Sequence, residues 1–150
     1  MDRECTSFYS ANCGSIQPKY SFNQRTTLSL GRVDLSLLWR YISKTQYEPK
    51  QFIADGCAGL TDAADAVSAG GDACQIDTRF RKIKAYNYFD LSTRFNVTDH
   101  FDMTVTVTNL LDKDPPITSQ LSTGAGNGNT YPSVYDALGR KVFVTATYKF

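Results

Sequence analysis

The residues best suited to chemistry are few and scattered. The single histidine, His100, closes the run Thr98-Asp99-His100 between two alternating segments. A nucleophilic relay would need that ring held by a second group, and its surroundings describe an exposed turn instead. The carboxylate pairs Asp62/Asp65 and Asp112/Asp114 sit in polar stretches. They lack the apolar setting that separates an acid from a base. The run Gly124-Ala125-Gly126-Asn127-Gly128 is not followed by Lys-Ser/Thr and opens no helix, so it is no phosphate loop. The aspartates between Asp55 and Asp77 have no EF-hand spacing. No catalytic set, metal site or cofactor is expected, and the chain reads as a non-enzyme.

The four cysteines form two local pairs, Cys5/Cys13 and Cys57/Cys74. Neither has the Cys-x-x-Cys spacing of zinc or redox sites, and His100 is far from both. More than one connectivity is open to four cysteines, but each pair lies within one polar, loop-like stretch. Disulfides Cys5–Cys13 and Cys57–Cys74 are therefore expected, and with them an oxidising compartment. The opening Met1-Asp2-Arg3-Glu4-Cys5 has no apolar run of a signal peptide. Oxidising cysteines without a signal are expected of the downstream piece of a longer protein.

The elements that must position these residues are strands. Tyr20, Phe22, Thr26, Leu28 and Leu30 alternate with Ser21, Asn23, Arg25, Thr27 and Ser29. After Gly31-Arg32, Val33, Leu35, Leu37, Trp39 and Tyr41 continue the apolar series, a hairpin pattern. Alternation returns at Phe89, Leu91, Thr93, Phe95 and Val97, again at Phe101, Met103, Val105 and Val107, and finally from Val142 to Phe150. The expected fold is all-β, an antiparallel meander with strands near 20–30, 33–43, 86–97, 101–111 and 140–150. Two long loops, about 44–84 and 112–139, separate them. The first holds five acidic residues and no basic one between Asp55 and Asp77, then Arg79, Arg81, Lys82 and Lys84. Thr61 could cap a short helix there.

Composition and spacing narrow the class. With 16 Lys+Arg against 15 Asp+Glu, bulk charge gives no nucleic-acid role. No apolar run reaches the roughly 18 residues of a membrane helix. Barrels that cross membranes with strands escape that test, because their lipid-facing and lumen-facing residues alternate. A ten-residue strand at ~3.3 Å per residue, tilted ~45°, rises about 25 Å, the height of such a barrel's apolar band. Loops of about 40 and 27 residues would be uncommon in a soluble sandwich. Arg25, Asp34, Arg40, Asp90, Arg94, Asp102, Lys141 and Lys149 would then share a wet lumen.

Three motifs carry a resemblance. They are Asn109-Leu110-Leu111-Asp112-Lys113-Asp114-Pro115-Pro116, the run Asn129 to Arg140, and the last strand ending on Phe150. Together they resemble the C-terminal end of TonB-dependent outer-membrane receptors, with Leu111 where that family commonly has Phe. The segment through Trp39-Arg40 is similar to late-barrel sequence as well. The resemblance implies that residues 1–150 are part of a transmembrane β-barrel of about 22 strands, with no plug domain in the chain. The intact protein would sit in the outer membrane of a Gram-negative cell. It would import a scarce small molecule of siderophore, cobalamin or carbohydrate type, energised through TonB by an N-terminal part missing here. Implied partners are outer-membrane lipid, the remaining barrel and plug, and the barrel-assembly machinery, for which Val144, Tyr148 and Phe150 would form the signal.

Substrate contact is expected from the loops, at Tyr47, Arg79, Arg81, Lys82, Tyr131 and Tyr135. The competing reading is a soluble, secreted, disulfide-containing β-domain that binds through its long loops. An outer-membrane enzyme on a small barrel would need about eight strands and a polar catalytic cluster. Neither is found in the sequence.

Overall fold

The computed structural model describes residues 5–10, 13, 16–48, 81–118 and 128–150. Eight strands are assigned among them: β1 (Phe8–Tyr9), β2 (Ser21–Leu30), β3 (Val33–Ile42), β4 (Thr45–Tyr47), β5 (Lys82–Ile83), β6 (Tyr86–Asn96), β7 (Phe101–Thr108) and β8 (Lys141–Tyr148). The chain divides into two compact units. The first comprises Met1–Tyr20, Ser43–Tyr86 and Pro115–Ala137; the second comprises Ser21–Ile42, Asn87–Asp114 and Leu138–Phe150.

The second unit is a five-stranded sheet in the order β2-β3-β6-β7-β8. Pairing of β2 with β3 is antiparallel and unbroken from Ser21↔Ile42 to Leu30↔Val33. Only Gly31 and Arg32 separate the two, and Gly31 takes a φ of 63°. A positive φ at the first central position is what a two-residue hairpin of type II′ uses, because it matches the strands' twist. Beyond it, the Asn96 amide donates to the Arg32 carbonyl (2.8 Å) and Trp39 Nε1 donates to Asn87 Oδ1 (2.8 Å), so β3 begins where β6 ends. The pairs β6–β7 and β7–β8 are antiparallel.

This register sorts the side chains into two faces. One carries Phe22, Leu28, Leu30, Leu35, Leu37, Trp39, Phe89, Leu91, Phe95, Met103, Val105, Val107, Val142, Val144 and Tyr148, each across from another member of the set or its neighbour. Aromatic residues gather at the two ends of that face. At one end the rings of Phe22 and Trp39 lie 5.0 Å apart, Phe22 and Tyr41 5.1 Å, and Trp39 and Phe89 6.3 Å. At the other, Phe101 pairs with Tyr148, whose ring is 5.2 Å from that of Phe150. Aliphatic side chains fill the middle. The face is not covered: Leu30 is 61% exposed, Val142 62% and Val144 65%.

The first unit has the opposite balance. Its strands β1, β4 and β5 form a three-stranded sheet, β1 parallel and β5 antiparallel to β4. Yet Tyr9, Ile16, Tyr47, Ile83, Tyr131 and Tyr135 are all buried within this unit. Apart from Ile42 and Tyr88, the second unit contributes none of the buried apolar residues among those described.

The five expected long strands are present with trimmed ends. The strand expected to run to 111 stops at Thr108, because Asn109 and Asp112 adopt positive φ values of 50° and 51°. That left-handed backbone cannot continue a ladder. Strands β4 and β5 interrupt the ends of the loop expected over 44–84. The helix start at Thr61 and the pair Cys57–Cys74 lie outside the described residues.

Replacing Gly31 with Val should cost the hairpin about 1–2 kcal/mol, the price of left-handed backbone for a side chain with a Cβ. Faster amide exchange confined to the β2–β3 ladder is the expected signature. Unchanged protection there would show that the turn tolerates another φ.

Candidate functional site

The polar face of the five-stranded sheet is built around Asp90. Arg40 on β3 meets it with two parallel bonds, Nε to Oδ2 at 2.8 Å and Nη2 to Oδ1 at 3.1 Å. The guanidinium also lies over the Tyr88 ring, 4.9 Å from its centroid. Asp90 Oδ1 accepts a further bond from the Asn109 amide at 2.8 Å. Asn109 then closes its own turn: its Oδ1 accepts the Lys113 amide (2.9 Å) and its Nδ2 donates to the Lys113 carbonyl (3.0 Å). One carboxylate thus ties β3, β6 and the end of β7.

The rest of this face follows the same logic. Arg94 pairs with Asp102 at 2.8 Å, and Lys149 reaches the same oxygen at 3.5 Å. Ser92 and Thr106 share a bond of 3.0 Å across β6 and β7. Arg25 and Thr27 both donate to Ser36 Oγ, at 3.3 and 3.1 Å. At the turn after β7, Asp112 Oδ1 accepts the Arg140 amide at 2.8 Å. A Cβ added to Gly139, whose φ is 69°, would stand 3.1 Å from that oxygen. Such a surface offers hydrated, mutually neutralised charge. It presents no nucleophile paired with a base, and no group of three metal-ligating residues occurs among the described residues. His100 is exposed in its turn, its amide donating to Thr98 Oγ1 at 3.3 Å.

The second polar concentration is a tyrosine cluster in the first unit. The Tyr9 ring meets Tyr47 edge-on at 5.6 Å and Tyr131 at 6.2 Å, and Tyr86 meets Tyr135 at 5.1 Å. Tyr9 is carried by the loop that the Cys5–Cys13 disulfide closes, with the two Cα atoms 5.7 Å apart. Backbone bonds seat that loop on β4: Gln46 donates to Ser7 (3.0 Å) and Glu48 to Tyr9 (3.0 Å). The Ser10 hydroxyl, fully buried, donates to Glu48 Oε2 at 2.8 Å. Burial pushes the Tyr9 phenol well above its ordinary pKa, and the phenols of Tyr131, Tyr47 and Tyr135 push the same way.

Tyr47, Tyr131 and Tyr135, singled out from sequence as loop-borne contact residues, are therefore buried and not displayed. Ring packing explains it: each phenol offers a large apolar body to a unit with few aliphatic side chains among its described residues. Arg81 is half-buried, Lys82 is exposed, and Arg79 lies outside the described residues. Tyr148, Val144 and Phe150 are exposed on the last strand and just beyond it. Of the hub residues, sequence alone marks Asp90 only as one of several lumen-facing charges and Asn109 only as the start of a motif, and it does not mark Tyr9. Asp90 sits on the charged side of an alternating strand, and no local feature separates it from Arg94 or Asp102.

No family model matches the sequence, and no curated protein does. The fold aligns with a crystal structure of a mutant ferric enterobactin receptor from Pseudomonas aeruginosa, with a TM-score of 0.52. The alignment covers 89% of this chain but 16% of the receptor, at 14% identity. The likeness is one of fold. It establishes an antiparallel arrangement of several strands similar to part of that receptor.

Two outcomes test these assignments. Asp90→Ala should destabilise the sheet by about 2–3 kcal/mol, since it removes the carboxylate that accepts two bonds from a half-buried guanidinium and one from an amide. Asp90→Asn should cost less, and only the alanine variant should markedly speed exchange of the Asn109 amide. For the tyrosine cluster, the unfolded Tyr9 phenol ionises near pH ~10 while the folded one resists. The stability that neutral Tyr9 contributes is complete below that pH and is lost as pH rises toward the folded value. Alkaline unfolding followed by phenolate absorbance should accordingly fall less steeply with pH in Tyr9→Phe; identical curves would exclude Tyr9 as the cause.

Proposed function

We propose that this chain is a late portion of the β-barrel of an outer-membrane transporter of the TonB-dependent receptor type. The observation that carries the reading is the uncovered face of the five-stranded sheet, aliphatic in the middle and aromatic at both ends. Lipid explains that distribution: hydrocarbon meets the aliphatic band, and aromatic rings settle at the two headgroup boundaries. A soluble sheet would bury those side chains and leave the charged face to water. The Arg40–Asp90 and Arg94–Asp102 pairs then line a hydrated lumen. Fold similarity to the ferric enterobactin receptor and the three end motifs support the same assignment.

On this reading the chain transports nothing by itself, since the plug, the remaining strands and the TonB-contacting segment belong to the rest of the intact protein. It contributes barrel wall, lumen charge and surface-loop residues to the import of a scarce nutrient, and no catalysis. Phe150, Tyr148 and Val144 serve the assembly machinery as a terminal strand whose alternate side chains fill pockets on another sheet edge.

Spin labels placed singly at positions 142 to 147 in chain reconstituted into lipid vesicles provide the test. Positions 142, 144 and 146 should be relaxed by lipid-dissolved oxygen, and 143, 145 and 147 by an aqueous nickel chelate. Uniform aqueous access, together with a detergent-free monomer, would overturn the membrane assignment in favour of a soluble secreted domain.

A further inference from the structure

Strands β4 and β5 divide their side chains by face. Thr45, Tyr47 and Ile83 are buried, while Gln46 and Lys82 point outward and Lys44 and Lys84 are exposed beside them. The register pairs Thr45 with Ile83 and Gln46 with Lys82. Lys44 and Lys84 lie one residue beyond the Thr45–Ile83 pair, flanking the ladder at the same end. Facing strands lie ~4.8 Å apart, and alternate residues of one strand are about 6.6 Å apart. Three ammonium groups therefore occupy a face that one small ligand can span.

Nothing among the described residues neutralises them. Arg40, Arg94, Arg140 and Lys149 form ion pairs there, whereas Lys44, Lys82 and Lys84 form none with a described residue. Like charges brought together on facing strands repel one another, so the arrangement works against the stability of the strand ends that carry it. The platform beneath is nonetheless firmly held. Tyr47 packs on Tyr9, the Tyr47 amide donates to the Arg81 carbonyl at 2.8 Å, and the disulfide loop is seated on β4. A held face whose positive charge is uncompensated among the described residues is suited to an anion, because the ordering cost is already met before binding.

We propose that Lys44, Lys82 and Lys84 form a substrate-binding face, and that the substrate is a polyanion: a small molecule bearing two or more carboxylates or phosphates. Gln46, between the lysines, supplies a neutral donor and acceptor. The inference rests on the transporter reading and narrows it, favouring a negatively charged chelate over a neutral carbohydrate. Ammonium groups are compact point charges without the planar fork of arginine, so the face accepts carboxylate and phosphate alike.

Titration of the full chain with citrate, pyrophosphate and maltose, at low and high ionic strength, tests the proposal. Both anions should bind and maltose should not, with binding weakened by salt as exposed charge is screened. Lys44→Gln, Lys82→Gln and Lys84→Gln should each weaken anion binding about two- to fivefold. The triple substitution to Gln should abolish it, and the triple substitution to Arg should retain it. Because all three side chains are exposed, the variants should keep the circular dichroism of the parent. Equal binding of maltose, unchanged binding by the triple Gln variant, or no anion binding at low ionic strength would overturn the proposal. So would binding that emerges only when Asp55, Asp62, Asp65, Asp72 and Asp77 are all changed to Asn, which would assign the lysines to this chain's own acidic run. The spin-label pattern is read independently: loss of anion binding with the lipid–water alternation intact rejects this inference alone.

Discussion

Sideways backbone hydrogen bonding is the constraint on which the five-stranded sheet depends. Each interior strand gives its amides and carbonyls to its two neighbours, so no side chain is needed to satisfy the backbone. The side chains are then free to segregate by period two, and they do so from β2 to β8, with Leu38, Ile42 and Phe143 as apolar exceptions on the charged face. A single-residue slip anywhere would exchange the faces. It would send Arg40 and Asp90 toward the apolar side and Leu37 and Trp39 toward the charged one. The bidentate Arg40–Asp90 pair acts as a register pin as well as an ion pair, since it links strands that are distant in sequence.

The two units are stabilised by different means. In the first, short strands contribute little, and buried aromatic rings together with a disulfide-closed loop hold the chain. In the second, the ladders are long but the apolar face finds no partner within the described chain. The hydrophobic term for that face therefore depends on what surrounds it, whereas the first unit carries its own. Reconstitution conditions should influence the units unequally for this reason alone.

Legibility in the sequence follows the same division. Alternation fixed the positions of β2, β3, β6, β7 and β8, because a half-exposed strand writes its geometry directly into residue type. Strand ends were less visible: Asn109 is a residue tolerant of left-handed backbone, but its spelling as Asn-Leu-Leu extends the apolar series past the point where the strand stops. The tyrosine cluster was hidden altogether, since Tyr9, Tyr47 and Tyr131 come from three separated stretches with no shared period. Residue type and loop position place Tyr47, Tyr131 and Tyr135 at the surface, yet that same large, amphipathic ring is what fits them for the interior. Lys84 stands out only as part of a basic run, and Lys44 not at all, until the β4–β5 ladder brings the two to one end.

The sheet's outermost strands have a parity consequence. Neighbours alternate in direction from β2 through β3, β6 and β7 to β8, so β2 and β8 point the same way. Joining those two edges directly, within one chain or head-to-tail between copies, would create a parallel seam in an otherwise antiparallel wall. Bacterial single-chain barrels hold an even number of strands. Any such barrel that includes this sheet must bridge from β8 back to β2 with an odd complement of further strands, beginning and ending against the direction of both edges.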